Sequence, residues 1–386
     1  MTLGCRLNLA ESETIRALAG ARPLAVVNSC AVTNEAVARS RAAVRRLRRQ
    51  HPGAELVVTG CAATLDPAGF AAMAEVDRVV ANDDKGAPAS WGSATPRPIA
   101  FAGHARAMVA VQTGCDHRCT FCAIHLARGP SRSVPVPAVV SEVDRLVAAG
   151  HREVVLTGVD LTSYRAEGCT LGDLCAAILA RVPALPRLRL SSLDSVEMDE
   201  TLLALLATDA RMAPHVHLSL QAGDDLILKR MRRRHARADA VRLVRRLKEA
   251  RPDIAIGADL IAGFPTESEA AFANTLALLD DCDIVHAHVF PFSPRDGTPA
   301  ARMPQVPPAL ARERAARLRA AAVARRATWL ASRVGAELPV LVERPGDRGH
   351  AGDFAEVRLT RPAAPGTLVS CRITGATSSH LIGIPA

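Results

Sequence analysis

A strand–helix alternation that starts at Met108 and repeats about six times constrains this chain more than any other feature. The apolar runs are MVAVQT (108–113), EVVLTG (153–158), RLRLSS (187–192), HVHLSL (215–220), IAIGADLIAG (254–263) and DIVHAHVFPF (283–292). Helix-compatible segments such as VPAVVSEVDRLVAAG and HARADAVRLVRRLKEA separate them, closed by Gly150 and Pro252 in the way helices commonly end. Strands that are nearly continuous in apolar residues are buried on both faces, as parallel sheets require. Six βα units in a row therefore predict a parallel sheet covered by helices and curled into a partial (β/α)6 barrel, with an open doubly wound sheet as the competing architecture.

The chain carries more than this barrel. With 386 residues, 49% of them hydrophobic, it exceeds the size at which a single core usually keeps growing. LAVVNS (24–29) and ELVVTG (55–60) read as buried parallel strands joined by an arginine-rich helix over 36–50, which is a βαβ unit of an open α/β domain. Residues 82–107 lack periodicity and read as a linker. A long Ala/Arg-rich helix over 308–334 leads into LPVLVE, FAEVRLT, TLVSCRITG and HLIGIP, short alternating strands that predict a small all-β module. The fold class is thus α/β, with divisions expected at 1–92, 101–333 and 335–386.

The formal charge of +9 favours a polyanionic partner. Lys85, Lys229 and Lys248 are the only lysines, and arginine suits bidentate phosphate contacts. The arginine-rich stretches Arg39–Arg49 and Lys229–Arg237 could bind phosphates, but helices this rich in arginine are more often solvated faces. Ten cysteines are far too few for a disulfide scaffold of this length. No signal-type start and no apolar run near 18 residues is present, so a reducing cytoplasmic setting is expected, where clustered thiols serve as metal ligands or catalysts.

Cys115-Asp-His-Arg-Cys119-Thr-Phe-Cys122 is the strongest chemical signal. Zinc sites commonly close with four ligands. Three thiolates crowded onto one loop can instead hold a [4Fe–4S] cube by three irons and leave the fourth iron open. An open iron of this kind can bind S-adenosylmethionine (SAM) and deliver the electron that cleaves it to a deoxyadenosyl radical. A second trio, Cys5, Cys30 and Cys61, is dispersed. Cys30 and Cys61 follow apolar strands and so project at the carboxyl edge of a parallel sheet, where open α/β folds bind ligands. Taken alone, each also reads as a buried structural cysteine.

TGCDHRCTFCAIHLARGPSRS resembles the radical SAM signature, and its continuation resembles the methylthiotransferase family within that superfamily. LGCRLNLAESE, VNSCAVT and GCAATLDP are similar to the N-terminal motifs of that family. The resemblance covers nearly the whole chain. It implies two [4Fe–4S] clusters, one held by Cys115, Cys119 and Cys122 and an auxiliary one held by Cys5, Cys30 and Cys61, together with SAM. It also implies that Phe121 lies near the adenine of SAM, that Gly158 lets backbone approach its methionine end, and that Ser192, Asp194 and Gln221 line the SAM and substrate pocket. No catalytic side chain is singled out. Three departures stand out: the family usually has a strand before LGC whereas this chain starts at Met1-Thr2, Asp194-Ser195 replaces Glu-Pro, and Ala222 stands where Ser is usual. The first predicts either a truncated or misassigned start or a sheet without its first strand.

The implied reaction uses two SAM molecules, one to methylate sulfur and one to activate a C–H bond. HVHLSLQAGDDLILKRMRRRH and HVFPFSPRDGTPAARMP are most like the branch acting at C2 of threonylcarbamoyladenosine beside the tRNA anticodon. Isopentenyladenosine at the same tRNA position and an aspartate of a ribosomal protein are the other substrates, and a non-catalytic iron–sulfur RNA-binding protein is the reading of a different class. An unpaired anticodon base reaches a buried radical without duplex opening. The β module resembles a divergent TRAM domain, whose grip on RNA would rest on arginine and backbone, Phe354 being its one aromatic residue. Expected partners are the anticodon stem-loop, an electron donor such as flavodoxin or ferredoxin, and a sulfur source, acting with a monomer.

Overall fold

The computed structural model describes residues 1–92, 101 and 103–386, which form two compact units. One contains residues 1–101, 112–132 and 293–302, and the other residues 102–111, 133–292 and 303–386.

In the first unit, β1 (Leu24–Ser29), β2 (Glu55–Gly60) and β3 (Arg78–Val79) form a parallel sheet in that order. The expected bounds of β1 and β2 hold to the residue. Val27, Leu56, Val57 and Val58 are completely buried, each such side chain contributing about 1.5–3 kcal/mol. The crossover helix Asn34–Gln50 begins where the Thr33 hydroxyl accepts the Ala36 N–H at 3.1 Å. It buries Ala43, Val44 and Leu47 on the sheet. Met1–Leu3 runs parallel to β1, with Thr2 bridging to Asn28, and leads into the helix Arg6–Ala19.

The expected linker divides three ways. Residues 93–100 and 102 lie outside the described residues. Residues 82–92 fold onto the first unit, where Trp91 is fully buried and its indole N–H donates to the Lys85 carbonyl at 2.8 Å. Arg106 already belongs to a strand. Low periodicity hid this segment because single contacts, of Trp91, Lys85 and Asn82, anchor it in place of a repeating apolar face.

The second unit carries β4 (Arg106–Ala110), while the short strand β5 (Gln112–Thr113) lies in the first. After β6 (Arg132–Ser133) come β7 (Glu153–Thr157), β8 (Arg187–Leu190), β9 (Ser192–Leu193), β10 (His215–Gln221), β11 (Ala255–Ala262) and β12 (Ile284–Pro291). Strands β4, β7 and β8 pair in parallel, as do β9, β10, β11 and β12, so six βα positions follow one another in chain order with a single break at Ser191. The partial barrel expected from the sequence is what these residues build. β10 buries Val216, Leu218 and Leu220 on one face and presents His215, His217 and Ser219 on the other, as the two-residue strand period requires.

The long helix spans Pro308–Ala331. Beyond it β13 (Glu337–Glu343), β14 (Arg348–His350), β15 (Glu356–Leu359), β16 (Leu368–Ala376) and β17 (Leu381–Pro385) close a small barrel. Its Ala351–Phe354 loop meets the amino ends of the parallel strands. Arg189 donates to the Gly352 carbonyl at 3.0 Å, and the Phe354 ring packs 4.9 Å from the Arg189 guanidinium. Phe354 is therefore committed to this junction.

Under the junction sits Glu153, fully buried among Arg106 (2.9 Å), Arg187 (3.0 Å) and Arg189 (2.6 Å). Burial alone would raise its carboxyl pKa, but the three guanidiniums outweigh that and hold it well below the usual carboxylate range.

Candidate functional site

All six cysteines of the two predicted trios belong to the first unit, and none is in a disulfide. Gly114 opens the Cys115 loop with φ +76°; a Cβ there would lie 1.8 Å from the Pro130 carbonyl oxygen, so only glycine fits. The Cys115 N–H donates to the Gly129 carbonyl at 3.1 Å and the Cys122 N–H to that of Cys119 at 3.1 Å, which ties the loop into one turn. The Ile124 N–H points at Cys122 Sγ, 3.4 Å away. Such a donor favours the thiolate that a metal needs. Cys119 is buried, while Cys115, Phe121 and Cys122 are half-buried.

The second trio is assembled by the sheet. Cys30 and Cys61 leave β1 and β2 directly after their last paired residues, Ser29 and Gly60. Cys5 precedes the helix Arg6–Ala19, and a Cβ on Gly4 (φ +91°) would lie 2.7 Å from Cys30 Sγ. Cys30 and Cys61 are buried and Cys5 is reached by solvent. Surrounding protein raises the thiol pKa of Cys5 and Cys30, and the proximity of the other thiols adds to it; Arg128 pulls Cys5 back down. Three soft donors converging at one sheet edge fit an iron–sulfur group, as the loop trio does.

A polar network around Cys61 was not visible in the sequence. Arg128 is almost completely buried and uses all five N–H donors. Nε donates to Cys61 Sγ (3.2 Å), Nη1 to Glu11 Oε1 (2.7 Å) and Thr113 Oγ1 (3.2 Å), and Nη2 to Asn8 Oδ1 (2.8 Å) and Glu11 Oε2 (3.0 Å). Lys85 Nζ reaches Glu11 Oε2 at 2.5 Å and Asn82 Oδ1 at 2.7 Å. Burial would raise Glu11, and Arg128 and Lys85 lower it below the usual range. A cavity of about 210 Å³ opens here, lined by Glu11, Asn82, Lys85, Thr113 and Arg128 among others. Asn8 and Glu11 lie three residues apart, hence on one helix face; polar side chains at that spacing after Cys5 were the available signal.

The remaining predicted residues lie at the carboxyl ends of strands in the second unit. Gly158 follows β7, Ser192 begins β9, and Gln221 ends β10 with φ +69°. Asp194 is buried with both oxygens engaged, Oδ1 by the Val196 N–H (3.2 Å) and Oδ2 by Arg233 (2.7 Å). This is where parallel barrels place ligands. On the concave face Asp259 Oδ1 lies 3.1 Å from both His217 Nε2 and His288 Nδ1, a cluster the sequence reading missed. The basic stretches are largely consumed internally: Arg39 pairs with Glu35, Arg41 with Asp66, Arg48 with Asp77, Arg234 with Glu197 and Arg237 with Asp281. Cys175, Cys282 and Cys371 are buried away from any trio, with burial pushing Cys282 up to about 12.

Comparison with known proteins gives the same picture. The radical SAM superfamily matches residues 109–279, and uncharacterized protein family UPF0004 matches residues 1–81. The chain is 39% identical, over 99% of its length and 96% of the relative's, to the threonylcarbamoyladenosine tRNA methylthiotransferase MtaB of Rickettsia prowazekii. It is 35% identical to the protein of the same name from Thermotoga maritima, over 78% of this chain and 76% of that one. The tRNA-2-methylthio-N(6)-dimethylallyladenosine synthase of Anaeromyxobacter is 34% identical over 100% of this chain and 94% of its own. Among solved structures, the radical S-adenosylmethionine methyltransferase TsrM from Kitasatospora setae shares the fold, with a TM-score of 0.53 and 17% identity over 76% of this chain and 67% of that one.

Proposed function

The chain belongs to the family of the threonylcarbamoyladenosine tRNA methylthiotransferases, and on that premise we propose how its residues divide the work. It is a radical SAM enzyme that places a methylthio group at C2 of N6-threonylcarbamoyladenosine in tRNA, 3′ of the anticodon. The observation that supports this division is the presence of two separate trios of free cysteines in one compact unit.

Cys115, Cys119 and Cys122 hold the cluster that faces SAM, and Cys5, Cys30 and Cys61 hold the auxiliary one. When bound, the first cluster supplies the electron that cleaves SAM, and the second supplies the sulfur. Gly114 shapes the loop, and the Ile124 N–H stabilises the charge on Cys122. Phe121 offers a face to adenine. Gly158 leaves space for the methionine end, and Ser192 and Gln221 offer polar atoms at the strand ends. Asp194 acts indirectly, because both its oxygens are engaged: it holds Arg233 and the turn after β9.

The three domains at 1–92, 101–333 and 335–386, a cytoplasmic location, a flavodoxin or ferredoxin as electron donor and a monomeric state belong to the same reading. Among the described residues no helix is long and apolar enough to cross a membrane.

Mass spectrometry of tRNA nucleosides from cells with and without the gene tests the substrate. Loss of the methylthio form of threonylcarbamoyladenosine on deletion is the expected result. Loss of only the methylthio form of isopentenyladenosine would select the other tRNA base, and unchanged nucleosides would overturn the reading.

A further inference from the structure

We propose that Arg128 is a positioning residue that sets the reduction potential of the auxiliary centre by donating a hydrogen bond to Cys61. This rests on the assignment of Cys5, Cys30 and Cys61 as ligands made above. Arg128 ends the short helix Ile124–Arg128, six residues after the last cysteine of the other trio. Its guanidinium is locked by five hydrogen bonds, of which only the one from Nε reaches sulfur. Rotating it to drop that bond would break the paired contacts to Glu11 and the one to Asn8.

Charge bookkeeping gives the bond its weight. One carboxylate, Glu11, faces two buried cations, Arg128 and Lys85. A guanidinium stays protonated in a protein, so Arg128 brings its full charge into this network. One positive charge is left over, and Cys61 is the sulfur it touches. Burying a cation without a partner costs several kcal/mol, so the network is built to face a negative group at Cys61. A positive donor on a ligand sulfur favours the more reduced, more negative state of the iron group it ligates, and hydrogen bonds to sulfur are a recognised lever on such potentials.

The two trios need different potentials. SAM cleavage needs a strong electron donor at Cys115, Cys119 and Cys122. Forming a C–S bond from a carbon radical and a sulfur lone pair uses three electrons for a two-electron bond. An iron–sulfur group held by Cys5, Cys30 and Cys61 would be the acceptor for the remaining electron, and a raised potential there would favour that acceptance.

Redox titration of the full-length, reconstituted protein, followed by electron paramagnetic resonance, tests this. Added SAM perturbs the signal of the loop centre and so separates it from the auxiliary one. Arg128→Gln is expected to move the auxiliary midpoint to a more negative value and leave the loop midpoint in place. Methylthio product should fall about 10- to 100-fold, the usual scale for losing an outer-shell partner, while 5′-deoxyadenosine release continues. Arg128→Lys, which keeps the charge without the fixed fork, should fall between. Glu11→Gln should shift the auxiliary midpoint the opposite way, to a more positive value, which simple structural damage would not do.

An unchanged auxiliary midpoint in Arg128→Gln, or equal shifts of both centres, would overturn the proposal. If Arg128→Gln fails to retain iron, Glu11→Gln decides, and a midpoint that does not rise overturns it. A wild-type protein with no second iron–sulfur signal would instead remove the ligand assignment beneath it.

Discussion

Cys115, Cys119 and Cys122 share one turn, whereas Cys5, Cys30 and Cys61 come from three separate segments of the same unit. The loop trio is shaped by its own backbone: a glycine with positive φ, a Cys119–Cys122 turn and an amide aimed at Cys122 Sγ. The dispersed trio is shaped by tertiary structure. It depends on the β1–β2 register that places Ser29 opposite Gly60, on the close approach of Gly4 to Cys30, and on the buried network behind Cys61. Geometry held locally survives loosening of the domain, and geometry held by register does not.

The largest expected effect separates the trios by chemistry. Cys119→Ala should abolish 5′-deoxyadenosine release altogether and leave iron at the dispersed trio, measured by chromatography of the nucleoside and iron content per chain. Persistent SAM cleavage would break the comparison at its root. Cys30→Ala should do the reverse, keeping 5′-deoxyadenosine release while the methylthio nucleoside disappears. Loss of both activities in Cys30→Ala would mean that the trios are not independent.

The same contrast governs what could be read from the residues. The loop trio was legible because all its ligands and its glycine are neighbours in sequence. Strands β1 and β2 were legible to the residue because each is short and built on a compact apolar run, Leu24–Val27 in one and Leu56–Val58 in the other. The ring of partners around Arg128 was not, since Asn8, Glu11, Lys85 and Thr113 meet it only after the chain has folded. Residues 82–92 looked like a linker because their composition is that of one, although the buried Trp91 and the Lys85 contact with Glu11 pin them to the first unit. β14 has three residues and too little alternation to register, and nothing in the sequence indicated that Phe354 would turn toward Arg189.

A second pair of substitutions sharpens the comparison at smaller amplitude. Gly114→Ala and Gly4→Ala both impose a left-handed backbone on a residue with a Cβ, at about 1–2 kcal/mol each. Their neighbours differ: the Gly114 Cβ would strike a backbone carbonyl at 1.8 Å, the Gly4 Cβ a cysteine sulfur at 2.7 Å. Gly114→Ala should therefore strip iron from the loop trio and end SAM cleavage. Gly4→Ala should lower iron at the dispersed trio and leave 5′-deoxyadenosine release intact. Equal iron loss at both sites in either variant would contradict the independence of the trios.

The smallest effect on chemistry, with a large one on stability, is expected away from both trios. Glu153→Gln leaves Arg106, Arg187 and Arg189 without the carboxylate they share, and removing one partner of a buried ion pair costs about 3–5 kcal/mol. Chemical denaturation should show that loss while iron content per chain stays at the wild-type value. The sign of its pH dependence follows from the depressed carboxyl pKa of Glu153. A group whose pKa is lower folded than unfolded contributes its stability above the unfolded value and loses it as pH falls through the folded one. The gap between wild type and Glu153→Gln should thus be full at neutral pH and narrow as the medium is acidified below the ordinary carboxylate range. A gap that stays constant to low pH would show that the arginines do not hold Glu153 ionised; loss of iron in parallel with stability would show that the floor beneath β7 and the cysteine-bearing unit unfold together.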